Sequence, residues 1–306
     1  MTKGMEKCYN PGSKRTENEN LGEQEQGGMK SPLTVALWQA PYADAPSAEA
    51  EAQVTAHALE RVDAAAAQAR AAGADLLITP EMALTGYHRD PEWLRAVAQP
   101  ADGAWASAVG AIARRHGLAL VYGYPEAAPD GQRPYNAAQA VGPDGTPLAN
   151  YRKTHLFGAV DEARFTPGPQ PSATFVYRGW RLGLLICYDV EFPEAVRLLA
   201  LQGADAVLVP TANMPAFDEV QQLLVPARAC ENQLYVAYAN ACGVEAGLAY
   251  GGLSTVAGPR GKVLAQAGRD AALLVVTLPP LTQDGEGQLP GRRPELYAGL
   301  TAASRR

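Results

Sequence analysis

Hydrophobic residues recur along this chain in two alternating rhythms. Short, nearly continuous apolar runs at Leu33–Gln39, Asp75–Glu81, Leu118–Tyr124, Arg181–Ile186 and Gln233–Ala241 have the length and content of strands. Between them lie segments with helical spacing. An Ala-rich stretch from Ser47 to Ala72 predicts a long helix closed by Gly73. Gly103–His116 and Phe192–Gln202 predict two more, the latter with Pro193 in its first turn. Asp218–Glu231 predicts another, which Pro226 is expected to kink because proline lacks the N–H that an interior turn requires.

The pattern repeats within the chain. AGADLLITPE (72–81, with Ala72 and Gly73 at the helix end) is echoed by LQGADAVLVPT (201–211): a helix end, Gly-Ala-Asp, an apolar strand and a proline. AVGPDGTPLANY (140–151) and VAGPRGKVLAQ (256–266) both read as hairpins turning at Gly-Pro-x-Gly. Two related halves, each an αβ unit followed by a hairpin, predict one pseudo-symmetric α/β domain over about 32–280. Residues 1–31 are polar and have neither an apolar core nor an Arg-rich amphipathic pattern, which predicts a disordered extension and no targeting peptide. The Gly- and Arg-rich end, 281–306, reads as an arm.

Composition narrows the class of protein. At 306 residues and 47% hydrophobic content the chain can bury a large core, and a formal net charge of -6 gives no electrostatic reason to expect nucleic acid or an anionic membrane as partner. No segment is long and apolar enough to span a bilayer as a helix. Cys8, Cys187, Cys230 and Cys242 form neither a CxxC pair nor a disulfide framework, which favours a reducing, cytoplasmic compartment. The four histidines are scattered without metal-binding spacing, and no phosphate-cradling glycine loop is present, so no cofactor or metal is expected.

Candidate chemistry centres on Cys187. It lies between an apolar strand and a predicted helix, where free N–H groups favour a thiolate or an oxyanion. Taken alone, a cysteine ending an apolar strand is as well explained as core. Glu81 and Lys153, however, also fall just past strand ends, so all three residues are candidates for one rim of a sheet. PEMALTGY (80–87), YRKTHLF (151–157) and CYDVEFPE (187–194) resemble, in order, the three signature blocks of the nitrilase superfamily of carbon–nitrogen hydrolases. That resemblance implies a four-layer αββα sandwich with pseudo-two-fold symmetry, a homodimer in which the terminal arm packs on the partner, and a catalytic Glu81, Lys153 and Cys187. It further implies that Glu162 is the second glutamate beside the lysine, against the competing reading of an exposed loop carboxylate.

The resemblance assigns roles that suit an amide, which is a poor electrophile with a poor leaving group. Cys187 would be the nucleophile, Glu81 the base that shuttles its proton, and Lys153 with the backbone N–H of Tyr188 the oxyanion holders. Glu191 stands where relatives acting on carbamoyl or carboxylate-bearing substrates often carry an arginine. It would repel a carboxylate and favour an ammonium or neutral group, unless it serves a structural bond. Tyr87, Phe157, Asn213 and Met214 are candidate pocket residues, each also explicable as core. The reading is a cysteine-dependent amidase acting on a small amino acid amide or aliphatic amide. Its rivals are a nitrilase, an N-carbamoyl amide hydrolase, an acyltransferase and a silent binding protein of the same fold.

Overall fold

The computed structural model describes residues 30–43, 48–282 and 287–301. Apart from Lys30 and Ser31, the predicted polar extension lies outside the described residues, as does part of the terminal arm.

The first half runs β1 (Leu33–Gln39), α1 (Ala48–Ala71), β2 (Leu76–Ile78), α2 (Pro91–Val97), α3 (Ala104–His116), β3 (Ala119–Glu126), β4 (Tyr135–Val141), β5 (Pro147–Arg152) and the short α4 (Gly158–Glu162). The second half runs β6 (Thr174–Tyr177), β7 (Trp180–Leu184), α5 (Pro193–Leu201), β8 (Ala206–Thr211), α6 (Val225–Asn232), β9 (Tyr235–Asn240), β10 (Cys242–Glu245), β11 (Leu248–Gly251), β12 (Thr255–Ala257), β13 (Val263–Gln266) and β14 (Ala272–Leu278). One sheet has the order β14-β1-β2-β3-β4-β5 and the other β13-β12-β9-β8-β7-β6.

Both sheets share one plan. A parallel trio, β1-β2-β3 or β7-β8-β9, is followed by an antiparallel hairpin and flanked on its other side by an antiparallel edge strand. The repeated Gly-Ala-Asp shows why the halves match. Asp75 accepts the backbone N–H of Thr34 at 2.9 Å, and Asp205 accepts that of Arg181 at 2.7 Å, each carboxylate tying its β-strand to the preceding one. The two Gly-Pro-x-Gly turns close with matching bonds, Gly142 N–H to Thr146 C=O and Gly258 N–H to Lys262 C=O.

Strand alternation builds the layers. Leu33, Val35 and Leu37 of β1 face the core between the sheets with Leu182, Leu184, Val207 and Val209, while Ala36 faces α1 and α3 on the outside. Val196, Leu199, Val225 and Ala229 of α5 and α6 cover the outer face of the second sheet. The result is the αββα sandwich. Each fully buried Val or Leu in the middle layer contributes roughly 1.5–3 kcal/mol.

Some boundaries differ from the sequence reading. The strand before Cys187 ends at Leu184, and Cys187–Glu191 forms a 3₁₀ turn of its own, so Cys187 is not directly at the start of α5. The expected proline kink is a join. A π turn at Val220–Leu224 leads into α6, and Pro226 sits in the first turn of that helix, where a missing N–H leaves no bond unmade. No helix among the described residues is long and apolar enough to cross a membrane.

Candidate active site

Glu81 follows β2 by a short turn at the rim where the two sheets meet, its own N–H bonded to the carbonyl of Thr211 at the end of β8. The turn is pressed against β3. A Cβ on Gly123 would fall 2.3 Å from the backbone N of Met82, so only glycine permits this approach. Glu81 is fully buried, and its Oε1 accepts Lys153 Nζ at 2.8 Å and Asn136 Nδ2 at 2.6 Å. Its Oε2 is buried with no hydrogen-bond partner among the described residues. Burial raises the Glu81 carboxyl pKa, opposed by the Lys153 charge.

Lys153 follows β5 directly and is fully buried between two carboxylates, Glu81 and Asp161, the latter 2.7 Å from Nζ. Burial alone pulls its pKa down, but Asp161 and Glu81 outweigh that and hold it well above the usual lysine value. The ammonium therefore has two N–H groups engaged and a third to offer.

The second carboxylate beside the lysine is Asp161, not Glu162. The α4 turn points Asp161 inward, where it also accepts the Phe157 N–H at 2.9 Å and the Tyr87 hydroxyl at 2.7 Å, and leaves Glu162 exposed. On so short a helix adjacent residues face different ways, and sequence spacing alone did not say which one turned in.

Cys187 opens its 3₁₀ turn with φ +46°, a left-handed conformation that few side-chain-bearing residues adopt. Asp189 holds that turn to the lysine segment. Its carboxylate accepts the N–H of Ile186 at 3.1 Å, the Tyr151 hydroxyl at 2.9 Å, and, from the other side, the Thr154 hydroxyl and the His155 N–H, both at 3.0 Å. Sequence reasoning missed Asp189, although it stands inside CYD two positions from the cysteine. The Cys187 thiol pKa is driven well up by burial and by the Glu81 charge, while Lys153 and the N–H of Ala212 pull the other way. The balance holds the thiol pKa above the usual cysteine value.

Half-buried aromatic rings cluster about Tyr188, the residue that follows Cys187. Phe157 meets Tyr188 and Phe217 edge-on, both with centroids 5.3 Å apart, and Tyr188 meets Phe192 at 5.0 Å. Glu191 is half-buried at the end of the same turn. Arg228 bonds the backbone carbonyls of Val190 and Glu191, and among the described residues no hydrogen bond or ion pair reaches the Glu191 carboxylate. Burial and the negative charge of Glu219 raise its pKa.

Two of the pocket candidates, Tyr87 and Asn213, are buried with their polar groups engaged within the protein. Tyr87 is 2% exposed with its hydroxyl spent on Asp161. Asn213 is buried and ties Phe217, Gln221 and Asn240 together, so its polar groups are spent within the protein. Met214, half-buried, packs against the cluster of Tyr42, Met82, Tyr87 and Tyr250. Phe157 alone of the four stands among the half-buried rings about Tyr188. Among the described residues no group of His, Cys, Asp and Glu is arranged to hold a metal.

The sequence pattern of the carbon-nitrogen hydrolases matches residues 34–284. The chain belongs to this family. Within it, the chain is similar to a Pseudomonas protegens protein described as "Hydrolase in pqqF 5'region", 49% identical over 236 residues that cover 76% of this chain and 82% of that protein. An (R)-stereoselective amidase of Pseudomonas sp. is 40% identical over 67% of this chain and 73% of its own length. Among solved structures, an amidase from Nesterenkonia sp. AN1 superposes with a TM-score of 0.76 at 40% identity, covering 88% of this chain and 99% of that one. A variant of that amidase carries the acetamide moiety of fluoroacetamide covalently on its active-site cysteine.

Proposed function

We propose that this chain hydrolyses small primary amides to a carboxylic acid and ammonia through a thioester on Cys187. The observation that carries this reading is the division of labour at Glu81: one oxygen is anchored by Lys153 and Asn136, and the other is buried with no partner among the described residues. A buried acceptor without a donor is costly, and a thiol proton, a departing amine or a water would each satisfy it.

In the forward direction the Cys187 sulfur attacks the amide carbon as its proton passes to Glu81. The negative oxygen is met by the third N–H of Lys153 and by the backbone N–H of Tyr188. Glu81 then gives its proton to the nitrogen, the C–N bond breaks, and ammonia leaves the acyl group on sulfur. Water next loses a proton to Glu81 and attacks the thioester. The sulfur leaves and recovers the proton, and the acid is released. A positioned acid/base contributes about 10²–10⁴ in rate, and an oxyanion donor about 10²–10³. Asp161, 2.7 Å from Nζ, holds Lys153 in place.

Glu191 and the rings support a substrate class. A half-buried carboxylate without a partner, beside apolar aromatic faces, suits an amide with a free ammonium and an apolar side chain, such as an amino acid amide. It disfavours an anionic substrate. Glu191→Arg is expected to move the ratio of kcat/KM for a cationic over an anionic amide by roughly tenfold or more towards the anion. An unchanged ratio would place Glu191 outside substrate recognition.

Ammonia release from amino acid amides, aliphatic amides, N-carbamoyl amino acids and nitriles tests the whole reading. Release from the amides, highest for the amino acid amides and absent for nitriles, is the expected result. Turnover confined to nitriles or carbamoyl compounds would replace it.

A further inference from the structure

The β10–β11 hairpin lies outside both main sheets, yet its first strand ends in a buried carboxylate with four partners. Glu245 is 1% exposed. Its Oε2 accepts the backbone N–H groups of Tyr87 at 3.1 Å and His88 at 2.8 Å and the hydroxyl of Tyr250 at 2.7 Å. Its Oε1 lies 3.0 Å from Nε of the buried Arg89, a contact between charges and not a hydrogen bond, since that N–H donates to Thr85. Arg89 in turn bonds the carbonyls of Thr85 and Ala43. The segment from Met82 to Arg89, which continues directly from Glu81, is thus folded around one carboxylate supplied by a distant hairpin.

The wrap is tight. Gly86 has φ +90°, and a Cβ there would lie 2.0 Å from Glu245 Oε1 and 2.7 Å from Arg89 Nε. Glycine is required both for the backbone conformation and for the approach of the ion pair.

Two branches lead from this carboxylate to the reacting groups. On one, the bonds to the Tyr87 and His88 N–H groups fix the Tyr87 backbone, the Tyr87 hydroxyl donates to Asp161 Oδ1, and Asp161 Oδ2 holds Lys153 Nζ. On the other, Tyr250 donates to Glu245 and packs edge-on against Tyr42 at 5.0 Å, and the Tyr42 hydroxyl donates to the Glu81 carbonyl at 2.6 Å. Tyr250 also meets Tyr87 edge-on at 6.4 Å, which couples the branches. Each link is a charge-assisted bond, a hydroxyl bond or a close ring contact among buried residues, so displacement at one end is transmitted and not absorbed by solvent.

We infer that Glu245 is a positioning residue for the hydrolytic site, setting the placement of both Glu81 and Lys153 without touching the substrate. This rests on the proposed amide hydrolysis. Its consequence is that Glu245 governs the chemical step and leaves substrate capture, which falls to Glu191 and the aromatic rings, nearly untouched.

Purified full-length protein and its Glu245→Gln, Tyr87→Phe and Glu245→Gln/Tyr87→Phe variants test this, with kcat, KM and thermal midpoint measured on the best amino acid amide. Glutamine keeps the shape of Glu245 but removes the charge that holds Arg89. The expected result is a fall in kcat of about 30–100-fold for Glu245→Gln and about tenfold for Tyr87→Phe, with KM within threefold of the parent, because misplacement of reacting groups acts on the chemical step. The Tyr87→Phe change should cost at least threefold less in kcat when made in Glu245→Gln than when made alone, since the branch it cuts is already loosened.

A merely structural glutamate would lower the thermal midpoint while leaving kcat within threefold, or would give effects on kcat that multiply. Either result overturns the inference. If Glu245→Gln does not fold, Tyr250→Phe decides, because it deletes one hydroxyl and leaves the ion pair intact. A fall of about 3–10-fold in kcat is then expected, and an unchanged kcat overturns the inference. Absence of amide turnover in the parent protein would instead remove the functional reading itself, a result distinct from any of these.

Discussion

Replacing Cys187 by alanine is expected to lower amide turnover by roughly 10⁴-fold or more, to the level of background hydrolysis, since the step that forms the thioester has no other nucleophile. The fold should barely register the change. Alanine meets the same demand as cysteine at φ +46°, and the half-buried residue takes part in no ion pair among the described residues. The loss in stability is expected to be about 1 kcal/mol or less. Ammonia release and the thermal midpoint, measured on the same preparation, check both halves. Retained turnover would mean that the carboxylate activates water directly, with the cysteine a bystander.

Lys153→Met should fail in a different way. The lysine is fully buried and holds Glu81 and Asp161 at 2.8 and 2.7 Å, so methionine, similar in length but neutral, leaves two buried carboxylates without their shared counter-charge. Removing one partner of a buried ionic cluster costs about 3–5 kcal/mol, part of which is recovered if a carboxylate takes up a proton. With Lys153 gone, its charge no longer lowers the Glu81 pKa, only the Asn136 bond still opposes the rise, and burial and Asp161 push it further up. The base is then shifted towards its protonated form, and the oxyanion has lost a donor. Turnover should fall by about 10³-fold or more, together with a clear drop in thermal midpoint. Lowered turnover with an unchanged midpoint would show that the two carboxylates do not depend on the lysine for their burial.

The contrast between these variants reflects what each residue does at rest. Cys187 spends little on the folded state, whereas Lys153 is structural and chemical at once. That difference was not legible in the sequence, where both simply follow apolar strands.

Much of the architecture was legible. The repeated Gly-Ala-Asp strands and the paired Gly-Pro-x-Gly hairpins announced two related halves because each repeat carries its own local bonds: Asp75 and Asp205 to a neighbouring strand, Gly142 and Gly258 across a turn. Features that depend on partners far along the chain were hidden. Asp161 in place of Glu162 was decided by which residue of a short helix faced Lys153, and the roles of Tyr87 and Asn213 by bonds to Asp161 and Asn240. The hairpin bearing Glu245 showed no chemistry in its own segment, and its significance comes from residues some 160 positions earlier, to which it is bonded at Tyr87 and His88. Asp189 was the one such residue with a local hint, a buried acid two places after the cysteine.

The central claim is that the acyl group of the amide passes through the sulfur of Cys187. Rapid-quench mass spectrometry of the intact protein mixed with a slowly hydrolysed amide, followed by peptide mapping, tests it most directly. An acyl adduct on the peptide containing Cys187, formed with release of one equivalent of ammonia and lost as acid appears, is the predicted result. Steady ammonia release with no adduct at any time, undiminished in Cys187→Ala, would contradict it.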